Sequence, residues 1–200
     1  VFHLVAVLSC LTGAVTMAVG AEPARRAAAP PQSVASFAGQ LSAVWRVRSF
    51  RVIILQGVPG SAPWYSLSFV VMWLEVLGFS RGAAARIRGS FDASTTVGTL
   101  LGGALSDRAA RWSAAHGRVA MAQVSVGSGI PLWLLILLVL PALRVGEPGF
   151  LLLFCVTGLT IPWCGAINNA ILADVCPHDC LAAAYGLDRV LEGIAAPFST

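Results

Sequence analysis

The sequence predicts an all-α protein built as a polytopic membrane helix bundle, and three observations support that prediction. Of the 200 residues, 57% are hydrophobic and 11% are charged, whereas soluble domains carry about 25% charged residues. The apolar residues are collected in runs of about 20, the length that a helix needs to span a bilayer. The basic residues, all arginine, fall between these runs, which is typical of a topology signal rather than a nucleic-acid surface. We therefore expect an integral, multi-pass protein whose partner is the lipid bilayer, not nucleic acid.

The apolar runs give the expected helices in chain order. The first has a rival interpretation as a signal peptide, with Val19 and Ala21 as the small residues before a cleavage site. No basic region and no initiating methionine precede it, which favours a span. The last run is only the start of a helix, so we expect the chain to be part of a longer protein. The six runs are residues 2–21, 52–79, 89–105, 119–141, 149–173 and 182–200.

A polar segment, residues 22–51, interrupts the apolar pattern with proline, alanine, serine and five arginines. It predicts a linker. Its later part, FAGQLSAVWRVRSF, is typical of an amphipathic helix at a membrane surface, with Phe37, Leu41, Val44 and Trp45 apolar. The expected organisation is a transmembrane helix at 1–21, a cytoplasmic linker at 22–51 and a transmembrane bundle at 52–200.

Arginine counts predict the orientation. The linker and the loops at 106–118 and 174–181 would share one side with eight arginines, and the loops at 80–88 and 142–148 the other side with four. An excess of arginine marks the cytoplasmic side. We therefore expect the linker and the 106–118 loop to face the cytoplasm.

The segment GGALSDRAARWSAAHGR, residues 102–118, places a carboxylate and three arginines between two apolar runs. A solvated turn at the membrane surface would account for the charges alone. Their spacing, however, resembles the signature loop of the major facilitator superfamily, whose core reads Gly-x-Leu-x-Asp-Arg followed by Gly-Arg. The matching residues are Gly103, Leu105, Asp107, Arg108, Gly117 and Arg118.

The resemblance implies a conformational latch. In that family the first glycine lets two helices approach closely. The aspartate faces the N-terminal end of a helix from the other half of the transporter, where negative charge is favourable. This contact exists in one conformational state only and so biases alternating access. The present sequence departs from the pattern because AARWSAAH separates Asp-Arg from Gly-Arg, so Asp107 and Arg108 carry over more directly than Gly117 and Arg118.

The resemblance also implies which part of a transporter this is. The family's loop joins the second and third helices of each half, so the order here fits helix 6, the central linker, helices 7 to 10 and the start of helix 11. An N-terminal half would precede it in the same chain. LQGVPGSAPWYSLSFVVMWLEVLGFS and AAAYGLDRVLEG further resemble a plant and algal branch near the spinster-like transporters. The implied function is secondary active transport of a small organic solute or lipid-like substrate, with proton coupling left open.

Polar and aromatic residues inside the runs are candidates for the substrate path. Pro59 and Pro63 predict a break in the second helix, which lipid tolerates where protein or water satisfies the freed carbonyls. The alternatives to a substrate path are a kink that serves only packing, in the second helix, and interhelical hydrogen bonds, for the pair Asn168 and Asn169. Gly98-x-x-x-Gly102 predicts a close-packing face. The candidates are Gln56, Trp64, Tyr65, Gln123, Trp163, Asn168 and Asn169.

Charged residues at the helix ends are candidates for a gate or for ion coupling. Asp188 and Glu192 are four residues apart and share a helix face, and Arg189 can pair with Glu192. This group predicts a cytoplasmic gate or, alternatively, a proton-coupling carboxylate. Glu75 and Asp92 predict an outer cluster of salt bridges, with proton coupling again as the alternative.

The sequence contains no catalytic set. Its three histidines are scattered, no serine is paired with a base, and no phosphate-binding Gly-Lys-Ser/Thr loop occurs. Cys176-Pro-His-Asp-Cys180 is the one cluster of metal-type ligands, and we interpret it as a polar turn because no second cluster completes a zinc site. We expect no enzyme, cofactor or metal. The alternatives are a receptor or scaffold on the same fold and a membrane-embedded lipid enzyme using Cys176–Asp188.

Overall fold

Helices form almost all of the chain that the structure, a computed structural model, describes, namely residues 2–20 and 34–194. No strand occurs within these ranges, so the all-α prediction is confirmed for them. Tighter or wider helical turns lie at Leu67–Phe69, Leu135–Val139 and His178–Cys180. The helices are α1 (Phe2–Val19), α2 (Val34–Arg46), α3 (Arg48–Ser66), α4 (Val70–Val76), α5 (Arg81–Trp112), α6 (Gly117–Leu134), α7 (Leu140–Ala142), α8 (Glu147–Thr160), α9 (Trp163–Val175) and α10 (Leu181–Gly193).

The chain forms two compact units, residues 1–36 and 37–200. The first contains α1, whose apolar side chains Val7 and Leu11 are exposed. Its described apolar stretch, Ser9–Val19, is shorter than the roughly 20 residues of a bilayer span. Ala21, on which the signal-peptide interpretation depends, and the first part of the expected linker lie outside the described residues.

Helix α3 runs without interruption through Pro59 and Pro63, so the break expected at these prolines is wrong. The irregular turn comes after them, at Leu67–Phe69. Both prolines lie on the exposed side of α3. The opposite side, which includes Ile53 and Gly57, is buried, and packing of α10 against α3 holds the helix together despite the two missing backbone donors.

Helix α5 has 32 residues, whereas the sequence predicted a short span at 89–105. Residues 81–88 and 106–112, expected in loops, form its first and last turns. Ser80 caps the beginning because its hydroxyl accepts the Ala83 N–H at 3.3 Å. Alanine and arginine are strong helix formers, so the charged, alanine-rich flanks continue the helix beyond the apolar residues that set the expected boundaries.

Two helical stretches are long and apolar enough to cross a membrane, Gly117–Ala142 with 26 residues and Glu147–Val175 with 29. They correspond to the runs expected at 119–141 and 149–173. Their most apolar windows are 22% and 39% buried, so most of this apolar surface is left uncovered by the described chain. The other expected spans do not reach the same length and hydropathy within the described residues.

Hydrophobic side chains form two separate clusters in the second unit. One surrounds Phe150 and Phe154 and includes Leu74 and Phe91 from α4 and α5. The other surrounds Val44 and Phe50 and includes residues of α9 and α10, Cys176 and Cys180 among them. We call the end of the bundle at the second cluster the linker end and the end at the first cluster the opposite end.

Glycines bring α5 into close contact with α8 and α9. A Cβ on Gly98 would lie 2.5 Å from the carbonyl oxygen of Gly158, and a Cβ on Gly102 would lie 2.6 Å from the ring of Trp163. Neither site has room for a side chain. The close-packing face predicted from Gly98-x-x-x-Gly102 is therefore confirmed.

Candidate functional site

A single arginine joins three helix ends at the linker end. Arg118, in the first turn of α6, donates from Nη1 to Asp174 Oδ2 at 2.6 Å and from Nη2 to Asp107 Oδ1 at 3.3 Å. The Arg118 side chain is 20% exposed, whereas those of Asp107 and Asp174 are 65% and 61% exposed. We call these three residues the Arg118 bridge. Two carboxylates share one guanidinium, so the bridge carries net negative charge and its acidic groups remain accessible to a further positive partner.

Gly117 fixes the geometry of the Arg118 bridge. A Cβ at this position would overlap the backbone of Ala109, so glycine lets α6 begin directly against the last turns of α5. The intervening turn is tight, with Ser113 Oγ accepting the backbone N–H of His116 at 3.3 Å. Of the predicted latch residues, Asp107, Gly117 and Arg118 are thus brought together despite the longer loop.

The other two predicted latch residues lie apart from the bridge. Nothing described lies within 4 Å of a Cβ built on Gly103, so the close helix approach here is made by Gly102 instead. The Arg108 guanidinium lies over the ring of Trp112, 5.7 Å from its centroid. Asp174 was missed by the sequence analysis. The available signal was an acidic residue at the end of the fifth run, on the same expected side as Asp107.

A polar cluster connects α3 with α9. Gln56 Nε2 donates to Cys164 Sγ at 3.7 Å, and Asn168 Nδ2 donates to Gln56 Oε1 at 3.4 Å. Cys164 and Asn168 share a face of α9 because they are four residues apart. The structure therefore brings together the predicted candidates Gln56 and Asn168, and adds Cys164, which was not among the predicted candidates.

Of the two acidic residues of α10, Glu192 lies beside this polar cluster, and Asp188 lies one turn before it on the same helix. Asp188 is 2% exposed, and its Oδ1 has no hydrogen-bond partner among the described residues. Glu192 Oε2 accepts from Arg189 Nη1 at 3.0 Å, which confirms the predicted pair. The Glu192 side chain covers Gly57, where a Cβ would lie 2.7 Å from Oε1.

The break between α8 and α9 is held by one serine of α6. The Ser125 hydroxyl lies 2.9 Å from Thr160 O and 2.8 Å from Ile161 O, and its oxygen accepts the Cys164 N–H at 3.2 Å. The hydroxyl has one proton, which the two carbonyls share. Ser125 is fully buried. A side chain on a neighbouring helix thus satisfies the backbone groups that the turn before α9 leaves free.

The remaining substrate-path candidates have different surroundings. Trp64 stacks at an angle on Phe91, with ring centroids 6.0 Å apart. Tyr65 is half-buried beside α10, Gln123 is exposed on α6, and the backbone oxygen of Asn169 accepts from Tyr185 Oη at 3.0 Å. Trp163 packs on α5 as described above, and its Nε1 has no partner within the described chain. These residues do not form one site with Gln56.

At the opposite end the charged residues form separate exposed pairs. Glu75 pairs with Arg81 at 3.0 Å and Asp92 with Arg88 at 2.9 Å. The salt bridges predicted there are therefore present, as pairs rather than as one cluster. Arg86 binds Glu147 at 2.7 Å, and this partner was not predicted.

The cysteine turn shows no metal centre. No group of three or more His, Cys, Asp or Glu side chains capable of holding a metal occurs in the described part of the chain. Cys176 and Cys180 are buried in the second hydrophobic cluster, whereas His178 is exposed. Burial, with a smaller contribution from Cys180, raises the pKa of the Cys176 thiol, which disfavours the thiolate.

Comparisons with protein families, with curated proteins and with solved structures give no match for this chain. The fold and the apolar surface instead define its class: an all-α chain, in the part described, with two helices long and apolar enough to cross a membrane. The family resemblance therefore remains a prediction.

Proposed function

We propose that this chain is the second half of a major-facilitator-type secondary transporter, in which α1 and the helices from α3 to α10 cross the membrane in several passes. The length of α5 supports this arrangement. At about 1.5 Å per residue its 32 residues measure about 48 Å, longer than the roughly 30 Å hydrocarbon core. The arginines at its beginning and the Asp-Arg pair near its end therefore reach the two polar interfaces.

The Arg118 bridge is the observation that most directly supports the proposal. The signature-loop resemblance implies a functional aspartate and a following Gly-Arg, and in this chain Asp107 and Arg118 are in contact with each other. Asp107 keeps its second carboxylate oxygen outside the hydrogen bonds of the described chain. That oxygen is the group available to the helix N-terminus of another half.

The polar cluster on α3 and α9 supports a solute path in the same bundle. Amide and thiol groups at Gln56, Cys164 and Asn168 connect α3 with α9, and the Glu192 carboxylate of α10 lies against the adjacent Gly57. Polar side chains within a membrane span are costly and mark substrate or ion pathways in membrane proteins. Amides and a carboxylate suit a small organic solute or the polar headgroup of a lipid-like one.

Uptake into liposomes tests the proposal. The full-length transporter would be reconstituted and given a solute panel that includes a lysolipid, with acid outside or with equal pH on both sides. For Asp107→Asn we expect slower turnover with retained solute binding, because binding does not use the latch. The matched control is Asp179→Asn, an exposed carboxylate at the linker end that forms no ion pair with the described residues, which should transport like the wild type.

The outcomes separate the alternatives. Uptake that needs the pH gradient would establish proton coupling, and uptake without it would establish another driving force. If the wild type moves a solute and Asp107→Asn matches it, Asp107 is a solvated turn residue and the latch is refuted. If the wild type moves no solute, a receptor or scaffold on the same fold replaces the transporter.

A further inference from the structure

The arginines around the junction of α2 and α3 have no acidic partner among the described residues. Arg46 ends α2, and Arg48 and Arg51 lie in the first turn of α3; all three are exposed. The described chain forms ion pairs at Arg81, Arg86, Arg88, Arg118 and Arg189, but none at these three. Their charge therefore remains available to a partner outside the protein.

The exposed face of α3 changes from basic to aliphatic side chains within one turn after Arg51. Arg48 and Arg51 are followed on the same face by Val52 and Leu55, spaced as i, i+3, i+4 and i+7. Val52 is 59% exposed and Leu55 is 77% exposed. A face that passes from arginine to exposed aliphatic residues matches the boundary between lipid headgroups and hydrocarbon.

Aromatic residues lie at the same level. Trp45 is 49% exposed beside the arginines and meets the edge of Phe50 with ring centroids 6.3 Å apart. The neighbouring Val44 is fully buried in the second hydrophobic cluster, so this part of α2 is fixed to the bundle while Trp45 faces outward. Tryptophan is enriched at membrane interfaces because its ring is apolar and its N–H is polar.

We infer that Arg46, Arg48 and Arg51 form a binding surface for the headgroups of anionic phospholipids, with Trp45 inserted beside them. Charge complementarity selects this occupant: three arginines without acidic partners, next to an exposed aliphatic face, attract the negative surface of an anionic leaflet. An acidic protein or a nucleic acid would leave Val52 and Leu55 uncovered. The inference rests on the membrane-embedded bundle proposed above, but it does not depend on transport.

Quenching of Trp45 by brominated lipid tests the inference. The chain would be reconstituted in mixed vesicles of phosphatidylserine and phosphatidylcholine, with either one or the other lipid brominated. The Trp45 signal is the emission difference between the wild type and Trp45→Phe. We expect brominated phosphatidylserine to quench Trp45 well beyond its molar share. This excess should fall by about tenfold in the Arg48→Gln/Arg51→Gln variant, because each arginine near an anionic surface strengthens the attraction by roughly fivefold or less.

The matched control removes the same charge from the other end. Arg81→Gln/Arg144→Gln also replaces two exposed arginines, and it should keep the full excess. High salt, about 0.5 M, should abolish the excess in the wild type because it screens exposed charges, which provides a test that needs no variant. Quenching proportional to molar share in the wild type, or an equal loss in both double variants, overturns the inference.

Failure of the inference can be distinguished from failure of the proposed function. A chain that leaves the vesicles in an alkaline carbonate wash is not embedded, which overturns the membrane bundle and this surface together. A chain that resists the wash and shows no preference for phosphatidylserine overturns the lipid surface alone. A chain whose Trp45 shows no preference for phosphatidylserine, but which binds an added acidic protein or nucleic acid through Arg48 and Arg51, likewise overturns the anionic-lipid assignment.

Discussion

The Arg118 bridge predicts that Asp107 and Asp174 are energetically coupled. Replacing either aspartate by asparagine leaves Arg118 with one anion, and exposed ion pairs contribute about 0.2–1 kcal/mol each. Asp174→Asn should cost more than Asp107→Asn, because its contact is 2.6 Å rather than 3.3 Å. Replacing both leaves a guanidinium that is only 20% exposed without any anion, which should cost about 2–3 kcal/mol, between the exposed-pair and buried-charge limits.

A double-mutant cycle measures this coupling. Unfolding of the chain in detergent micelles would be followed by circular dichroism as SDS is increased, for the wild type, the two single variants and the double variant. Asp179→Asn serves as the control for losing one exposed carboxylate. A double-variant cost that equals the sum of the single costs within about 0.5 kcal/mol would refute the shared-arginine argument.

Further predictions concern packing, hydrogen bonding and thiol chemistry. Gly98→Ala should lower the free energy of unfolding by about 1–3 kcal/mol, because its Cβ would lie 2.5 Å from a carbonyl of α8. The control Gly127→Ala, with open space around it, should be neutral or stabilising in the same SDS titration. Ser125→Ala should cost about 1–3 kcal/mol, since it leaves the turn before α9 without its partner. Ser128→Ala, whose hydroxyl serves only its own helix, should cost less. Cys176 should react with maleimide at least about tenfold more slowly in the folded chain than in the unfolded chain at pH 8, because burial restricts access and the raised pKa disfavours the thiolate. The rate in the folded chain should rise further at higher pH. Equal rates in the two states, measured by mass spectrometry, would contradict the burial of Cys176.

The apolar runs predict the long hydrophobic helices well and their charged flanks poorly. Gly117–Ala142 and Glu147–Val175 lie within a few residues of the expected spans, because a continuous apolar run determines both hydropathy and helix. Helix α5 extends far beyond its apolar part because alanine and arginine continue a helix wherever packing permits. The break predicted at the prolines of α3 is wrong for the opposite reason. Proline disfavours a helix locally, and the tertiary contact with α10 overrides that preference.

The candidate site depends on contacts between distant residues, which sequence spacing does not specify. The spacing of Asp107 and Arg118 predicts a functional role for the aspartate, but the approach of α9 makes Asp174 the closer partner of Arg118. In the same way, Gln56 and Asn168 are visible as polar residues in apolar runs, while their hydrogen bond requires α3 and α9 to be adjacent. Residue types could therefore be predicted, and their pairing could not.

The Arg118 bridge has two distinct roles in the proposed transporter: it holds the ends of three helices together, and it offers a carboxylate to the other half. All three of its residues belong to one bundle, so their contacts persist when two halves of a transporter rock as rigid bodies; they hold the ends of α5, α6 and α9 together. Asp107 and Asp174 each keep one carboxylate oxygen free of the hydrogen bonds of the described chain, but only Asp107 belongs to the segment that resembles the signature loop. On the proposed transport cycle, Asp174→Asn should therefore reduce stability more than turnover, and Asp107→Asn should reduce turnover more than stability. Equal ratios of the two losses would mean that both aspartates act only through the stability of the bundle.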